Sequence, residues 1–380
     1  MERYNALVYW CRESISGNKD FLYDTCLFHD AVHAATLDFG YPYEVRRRCR
    51  QTAFLCCSAT HFHPPNSQTI DDTRTPEQSI QSLLRNLHLN HVKNTAYRVK
   101  SQSKRHAERY TQGESIMSLA QCNRYPPYLF ARAIVEEITN FRGRKGLTDA
   151  MRDPMGKLGH NSAVLEAYQE SEQVASIPGH TGVDTLCNQY SNTMSPVSRL
   201  ASEVLDIIKR DPMYGPTHDA ERSRVGIEYE IILEQCLQAM GIPFETEEQL
   251  RQRGASRTPD ILLSIPVGVK VANSNGGSDW KVVCWIDSKA LFGDEATHKD
   301  TIQSQAESYV HRFGPGLLLY WFGHAPMERL DDFQGDIVVC GWKLPDELLL
   351  PSGEVVREGQ IAPSLLRQKR VVVDLNSAQY

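Results

Sequence analysis

The sequence has no long hydrophobic run and no secretory signal pattern. No stretch approaches the roughly 20 consecutive apolar residues that a membrane span requires. The first five residues, MERYN, do not begin a basic and then apolar segment. The first absence excludes a protein built around membrane helices, and the second predicts that the chain stays inside the cell.

Cysteines are few and scattered, with ten among 380 residues. Their spacing does not indicate a disulfide framework, so we expect reduced thiols. Cys56 and Cys57 lie close to His61 and His63, which raises the question of a zinc site. Adjacent cysteines do not easily reach one tetrahedral ion, and no Cys-x-x-Cys pair lies nearby, so the pattern disfavours zinc.

Positive charge is not in excess, because the formal net charge is −6. Residues 74–145 nevertheless carry 13 Lys and Arg against 5 Asp and Glu, which leaves the rest of the chain strongly acidic. A basic front and an acidic rear are typical of a nucleic-acid-binding module joined to a domain that collects carboxylates for a metal. Solvated helix faces give the same counts, so both interpretations stay open.

Length and composition are those of an ordinary globular protein. A content of 41% hydrophobic and 23% charged residues is compatible with two domains. Polar, turn-rich stretches separate the segments that show regular hydrophobic periodicity. We predict an N-terminal helical segment of unknown role (1–65), a helical region (75–155), a linker or insertion (157–196), an α/β domain (197–345) and a C-terminal tail (346–380).

The helical region is predicted to contain a helix-turn-helix. Apolar residues recur at helical spacing over Ser79–Tyr97, Glu114–Ala120 and Tyr128–Phe141, and Asn123–Pro127 interrupts the pattern between the last two. In the third of these helices Arg132 is expected to face outward. A short helix, a turn and a longer helix are typical of a DNA-binding unit, but a three-helix bundle shows the same pattern.

Charged residues flank two predicted strands in the α/β domain. The run Trp280–Ile286 is β-branched and aromatic, and period-two alternation puts the following Asp287 and Lys289 on one side, roughly 7 Å apart. Thr258–Asp260 stands at the start of the preceding apolar run. One strand therefore begins with a carboxylate, and the next ends with a carboxylate and an ammonium group.

A helix is predicted over 225–240, ending at Gly241 in a left-handed cap. Its spacing places Ile227 and Ile231, with Leu237, on the buried side, and Glu230 on the edge of that apolar face. A glutamate in such a position usually has a cation nearby.

Glu230, Asp260 and Asp287 are predicted to converge. Three carboxylates repel one another unless a divalent cation neutralises them, and hard oxygen donors favour Mg²⁺ or Mn²⁺. Such an ion polarises a phosphate oxygen and activates water, while Lys289 orients that water or offsets phosphoryl charge. The order of these residues therefore predicts phosphodiester hydrolysis, although an Asp-x-Lys triplet alone is a weak signal.

Three segments carry a family resemblance: Gly226–Glu230, Thr258–Asp260 and Trp285–Lys289. They resemble the PD-(D/E)XK nuclease superfamily of restriction enzymes and archaeal Holliday junction resolvases, and within it the TPD-motif, codanin-interacting nuclease-like family. The resemblance is dense over 226–323 and does not cover residues 1–65, 157–196 or the tail. It implies an α/β, restriction-endonuclease-like fold with a mixed β-sheet flanked by helices, preceded by an all-α, helix-turn-helix-like region.

The resemblance also implies roles for single residues. Glu230, Asp260 and Asp287 match the metal-binding acids, and Lys289 matches the catalytic lysine. Glu228 is the alternative for the first acid, because the family's Gly-x-Glu-x-Glu pattern offers two. The resemblance implies a Glu at the position of Asp287, and the shorter side chain reduces the reach of this ligand.

A further helix is predicted over Thr297–Phe313, in which Gln305 and Tyr309 lie one turn apart on one face. The resemblance makes Gln305 a secondary candidate beside the catalytic residues. Asp294, Glu295 and His298 lie in or near the loop before this helix. We expect them to cap its N-terminus rather than to support a metal from an outer shell.

The predicted function is that of a Mg²⁺-dependent or Mn²⁺-dependent endo- or exonuclease that acts on DNA rather than RNA. Branched or otherwise structured DNA is included among the expected substrates. The alternative is a nuclease-like scaffold that binds a codanin-like protein partner in chromatin assembly with little or no turnover. A third hypothesis is a helix-turn-helix transcription factor, but this function does not explain the cluster of Glu230, Asp260 and Asp287. The family also implies a location in the nucleus, and a location in the cytoplasm stays an alternative. Junction resolvases form homodimers, so the resemblance implies a homodimer here as well.

Overall fold

The computed structural model describes residues 2–39, 74–139, 141, 144–159, 196–272 and 277–357. The described residues fall into two compact units. The sheet unit comprises those within 1–6, 39–86 and 222–380, and the helical unit comprises those within 7–38 and 87–221. The cluster around Cys56, Cys57, His61 and His63 lies outside the described residues.

The sheet unit contains a mixed β-sheet whose order is β5-β4-β3-β2-β6-β7, with β1 paired to β2. The pairs β3–β4 and β4–β5 are parallel, and the other pairs, including β2–β3, are antiparallel. The predicted mixed sheet with flanking helices is therefore confirmed. The strands are β1 Phe244–Thr246, β2 Ile261–Ala272, β3 Ser278–Lys289, β4 Gly316–Tyr320, β5 Ile337–Gly341, β6 Glu347–Leu349 and β7 Val355–Arg357.

The described ranges also contain helices. From the N-terminus, α1 to α6 are Glu2–Ser16, Thr25–Phe39, Arg74–Ser101, Ser103–Thr111, Ile116–Asn123 and Pro127–Thr139. Then α7 to α10 are Arg144–Arg152, Pro154–Leu158, Pro196–Arg210 and Pro216–Ala239, and α11 to α13 are Glu247–Gln252, Glu295–Thr301 and Glu307–Phe313. Short 3₁₀ turns are Asp20–Tyr23 and Met327–Arg329, and a π-helical turn covers Ile302–Ala306. No helix in these ranges has the length and apolar content needed to cross a bilayer.

The core of the sheet unit lies between β3, β4 and the helical segment 302–313. Every residue of β4 is buried, as expected for a central parallel strand covered on both faces. Trp285 is fully buried, and its indole Nε1 donates to the carbonyl of Gly314 at 2.8 Å. A side chain at Gly316 would meet the Trp285 ring at 1.9 Å, so this close approach requires glycine.

The predicted helix-turn-helix segment consists of α5 and α6, separated by a turn in which Arg124 is left-handed with a φ of 52°. Most of α6 is buried, and Glu136 is the one exposed residue in this fully described helix. The N–H of Tyr128, at its start, donates to the buried carboxylate of Asp211 at 2.9 Å. The end that a recognition helix presents to base edges is therefore occupied by the protein itself.

Two predictions differ from the structure. The tail predicted from residue 346 contains β6 and β7, which extend the sheet, because Leu348 and Val356 are buried. In α10, Ile227 is 57% exposed and Ile231 is 47% exposed, so their predicted burial was wrong. This helix is apolar on two sides: it buries Leu233 and, as predicted, Leu237, and Met240 directly after it is also buried as predicted. The helix ends before Gly241, which has the predicted left-handed φ of 72°.

Candidate active site

Asp287 and Lys289 lie on one face of β3, near its C-terminal end. Lys289 Nζ lies 2.6 Å from Asp287 Oδ2, and the two side chains are 19% and 2% exposed. Burial alone lowers the pKa of Lys289, but the carboxylates of Asp287 and Asp260 outweigh it and raise that pKa above its ordinary value. Lys289 is therefore a charged ammonium group at neutral pH.

Gln305 reaches the same lysine from the helical layer. Its Oε1 accepts a hydrogen bond from Lys289 Nζ at 2.9 Å. Gln305 lies in the π-helical turn, a widened turn that interrupts the helix predicted over Thr297–Phe313. Tyr309, which follows it, packs edge-on against Trp285 at 5.3 Å between ring centres. Burial and the charge of Asp287 raise the pKa of Tyr309 to about 12, so its hydroxyl group keeps its proton.

Asp260 lies beside Asp287 because β2 and β3 are antiparallel and Ile261 pairs with Ile286. The N–H of Ser288 donates to Asp260 Oδ2 at 2.6 Å. Burial, followed by the charge of Asp287, raises the pKa of Asp260 well above its ordinary value, although Lys289 and the Ser288 hydrogen bond act in the opposite direction. Two carboxylates in this position repel each other, and one ammonium group offsets them only in part.

Glu230 is on the exposed side of α10 and lines a cleft that also contains Asp260. Partial desolvation of its carboxyl group, followed by the charge of Glu247, raises the pKa of Glu230. Glu228, the other candidate, is exposed and pairs with Arg224 at 3.5 Å. It does not line this cleft. The geometry therefore favours Glu230 over Glu228.

The cleft has a volume of about 180 Å³ and is rich in carboxylates. Glu247, which sequence analysis did not assign to the site, is held in its wall at two points. Thr258 Oγ1 donates to Glu247 Oε1 at 3.2 Å, and the N–H of Glu247 donates to the carbonyl of Asp260 at 2.9 Å. Thr246 and Gln249 form a capping box at the start of α11, the helix that begins with Glu247. This capping-box pattern was the signal in the sequence that could have located Glu247 at a helix N-terminus. The lining residues are Glu230, Leu233, Glu234, Thr246, Glu247, Glu248, Asp260 and Ile261.

Hard oxygen donors in this site fit a divalent cation. Asp287 Oδ2 is buried and accepts no hydrogen bond of regular geometry, although Lys289 Nζ is close to it. A cation would also relieve the repulsion between Asp260 and Asp287. Across the described ranges, no three His, Cys, Asp or Glu side chains are gathered closely enough to hold an ion as they stand. The structure thus brings together Asp260, Asp287, Lys289 and Gln305, while Glu230 interacts with them through its charge.

The remaining acidic and histidine candidates have structural roles. Asp294 is the N-cap of α12 and accepts hydrogen bonds from the N–H groups of Ala296 and Thr297. His298 is 1% exposed and forms hydrogen bonds through Nδ1 with the Tyr320 hydroxyl and through Nε2 with a backbone carbonyl. Glu295 pairs with an arginine at 2.8 Å. The preference for capping is confirmed for Asp294.

A family model described as "Protein of unknown function TPD sequence-motif" matches residues 196–341. The matched segment contains Glu230, the Thr258–Asp260 triplet, Asp287 and Lys289. The match covers less than half of the chain. The cleft and the strand-end residues lie within the matched segment.

Relatives of this TPD-motif segment are proteins named CDAN1-interacting nuclease 1. The human protein is 35% identical over 161 residues, which are 42% of this chain and 53% of that protein. The Xenopus laevis protein is 41% identical over 139 residues, which are 37% of this chain and 42% of that protein. The Gallus gallus protein is 36% identical over 169 residues, which are 44% of this chain and 53% of that protein. The chain spans about half the length of these relatives. No solved structure matches it.

Proposed function

We propose that the sheet unit is a metal-dependent nuclease of the PD-(D/E)XK type that hydrolyses phosphodiester bonds of DNA. The observation that carries this proposal is the cluster of Asp260, Asp287 and Lys289 at adjacent strand ends, with Gln305 bound to the lysine. Glu230, Asp260 and Asp287 would hold Mg²⁺ or Mn²⁺. The printed name of the relatives, which includes the word nuclease, agrees with this proposal.

Each residue of the cluster has a defined task in this reaction. When bound, a divalent cation supplies positive charge that polarises the phosphate and makes water easier to deprotonate. Lys289 is charged, so it acts as a hydrogen-bond donor and a counter-charge to the phosphoryl oxygens, not as the general base. Gln305 limits the positions of the lysine through its hydrogen bond. Asp287 would help to hold the cation, and its carboxylate keeps Lys289 protonated.

The substrate is proposed to be DNA rather than RNA, and branched forms are included. The basic surplus of residues 74–145, where 13 Lys and Arg stand against 5 Asp and Glu, supports a nucleic-acid substrate of either kind. The preference for DNA comes from the family resemblance. Because α6 is mostly buried, we do not propose that this helix reads bases in a DNA groove. The proposed mode of binding is recognition of DNA shape and contact with the phosphates. A nuclear location and a homodimer stay predictions from the family.

Cleavage of a substrate panel tests the proposal. Purified protein would be incubated with linear, flap and four-way-junction DNA and with matching RNA, in Mg²⁺, in Mn²⁺ and in EDTA. We expect cation-dependent cleavage of DNA, and a loss of at least 100-fold in Asp287→Asn and Lys289→Met, on the order expected for removing one charge-stabilising group. Glu228→Gln is the matched control and should cleave normally, because its carboxylate pairs with Arg224 outside the cleft.

A second candidate is a nuclease-like scaffold that binds a codanin-like protein. It is favoured by one observation, the words CDAN1-interacting in the names of the relatives. If the wild type cuts no nucleic acid in the panel and Asp287→Asn leaves cation binding unchanged, the catalytic proposal fails and the scaffold replaces it. Cleavage that persists in EDTA would instead remove the metal from the mechanism.

A further inference from the structure

Trp321 follows β4 directly and contacts the strand end that carries the charged residues. Its backbone N–H donates to the carbonyl of Lys289 at 3.0 Å, and its indole Nε1 donates to Ser288 Oγ at 2.8 Å. Ser288 lies between Asp287 and Lys289 in the chain. Both Trp321 and Ser288 are buried, at 5% and 8% exposure, so these hydrogen bonds are shielded from water.

The ring of Trp321 also contacts the helix that carries Glu230. Its centre lies 4.9 Å from that of Tyr229, which immediately precedes Glu230 in α10. Tyr229 contacts Phe322 as well, at 5.6 Å. Aromatic pairs at these distances add stabilisation beyond simple burial and favour particular orientations. One side chain thus joins the helix that carries Glu230 to the strand that carries Asp287.

Ser288 contacts both Trp321 and Asp260. While its hydroxyl accepts from Trp321, its backbone N–H donates to Asp260 Oδ2 at 2.6 Å. Trp321 therefore touches, directly or through one neighbour, the chain segments that carry Glu230, Asp260, Asp287 and Lys289. It is not itself among the residues assigned to the reaction.

We propose that Trp321 is a positioning residue that sets how close the helical carboxylate of Glu230 can come to the carboxylates of Asp260 and Asp287. The inference rests on the proposed nuclease function. Glu230 does not form a close group with the other two acids in the described structure, so its reach depends on where α10 is held. The contact of Trp321 with Tyr229 holds that part of the helix against the strand end.

The test compares hydrogen-bond deletions by their effect on cation binding. Ser288→Ala removes the acceptor, and Trp321→Phe removes the indole donor while keeping a ring against Tyr229. Trp280→Phe is the matched control, because Trp280 is a 37% exposed residue on β3 whose ring faces Lys270. Isothermal titration of Mn²⁺ into the full chain gives the dissociation constant, and thermal unfolding shows that each variant is folded.

We expect about fivefold weaker Mn²⁺ binding in Ser288→Ala and in Trp321→Phe, which is the change that one lost hydrogen bond produces. The double variant should lose about the same factor, because both substitutions remove the same bond. Ser288→Thr keeps the hydroxyl group and should bind Mn²⁺ like the wild type. Trp280→Phe should also bind normally.

Outcomes for the positioning role and for the proposed function are distinguishable. If Asp260→Asn abolishes Mn²⁺ binding while folded Ser288→Ala binds like the wild type, the positioning role is refuted and the nuclease proposal stands. If the wild type binds no Mn²⁺, both are refuted. If Trp321→Phe does not fold, Ser288→Ala and its Thr counterpart decide the question, since they leave the ring contact with Tyr229 in place.

Discussion

Replacing Lys289 with Met should destabilise the sheet unit even without any metal or substrate. The substitution keeps the length and apolar character of the side chain but leaves the carboxylate of Asp287, which is 2% exposed, without its counter-charge. Breaking a buried ion pair by removing one partner costs about 3–5 kcal/mol. Because the ammonium group is still 19% exposed, we expect the lower end, about 3 kcal/mol.

The partner substitution should behave differently. Asp287→Asn also breaks the pair, but it removes the repulsion between Asp287 and Asp260, and Asp260 still offsets the charge of Lys289. The loss should therefore be smaller than in Lys289→Met. The double variant contains neither charge, so no buried charge is left without its partner. Its loss of stability should therefore be smaller than the sum of the two single losses by at least about 1 kcal/mol.

Thermal unfolding in EDTA, followed by tryptophan fluorescence, measures these differences. Four of the five tryptophans, at positions 280, 285, 321 and 342, belong to the sheet unit. A loss of about 3 kcal/mol should lower the Tm of a unit of this size by roughly 6–12 °C. A Lys289→Met variant that melts with the wild type, or singles whose losses simply add in the double variant, would refute the reasoning.

Three further predictions concern stability. His106 is buried, and neither ring nitrogen has a hydrogen-bond partner among the described residues. Burial, followed by the charges of nearby arginines, lowers the pKa of His106 below its ordinary value. The unfolded chain therefore binds the proton first, and the stability should fall as the pH drops below about 6.5, the ordinary pKa of histidine. His106→Leu should reduce this loss in urea unfolding at pH 5 relative to pH 8. Asp211→Ala leaves three backbone N–H groups without their acceptor, and should lower the unfolding free energy of the helical unit by about 3 kcal/mol, measured by urea unfolding with circular dichroism. Gly316→Ala forces a methyl group into the Trp285 ring and should prevent folding of the sheet unit, seen as loss of the near-ultraviolet dichroism.

The fold was predictable where the hydrophobic period was unambiguous. The run Trp280–Ile286 indicated a strand, and the structure extends it to Ser278–Lys289. In helix α10 the hydrophobic period was ambiguous. With isoleucines on one side and leucines on the other, periodicity predicted a helix correctly but not the side that the sheet would cover.

The strand-end residues of the site were predictable because β-strand alternation is local. Asp287 and Lys289 need only their own strand to share a face. The roles of Glu247 and Trp321 depend on contacts between segments far apart in the chain, such as the Trp321 bond to Ser288. Sequence spacing does not report such contacts. Burial of α6 was hidden for the same reason, because Asp211 lies far along the chain from Tyr128.

The π-helical turn at Ile302–Ala306 has a consequence for how the chain tolerates changes in length. A helix advances by about 100° per residue, so deleting one residue upstream of Gln305 would rotate the glutamine away from the lysine. Ile302 and Ala306 are buried on the same segment and resist that rotation. Single-residue insertions or deletions between Glu295 and Gln305 should therefore disrupt the contact of Gln305 with Lys289 far more than substitutions at the exposed positions of the same segment.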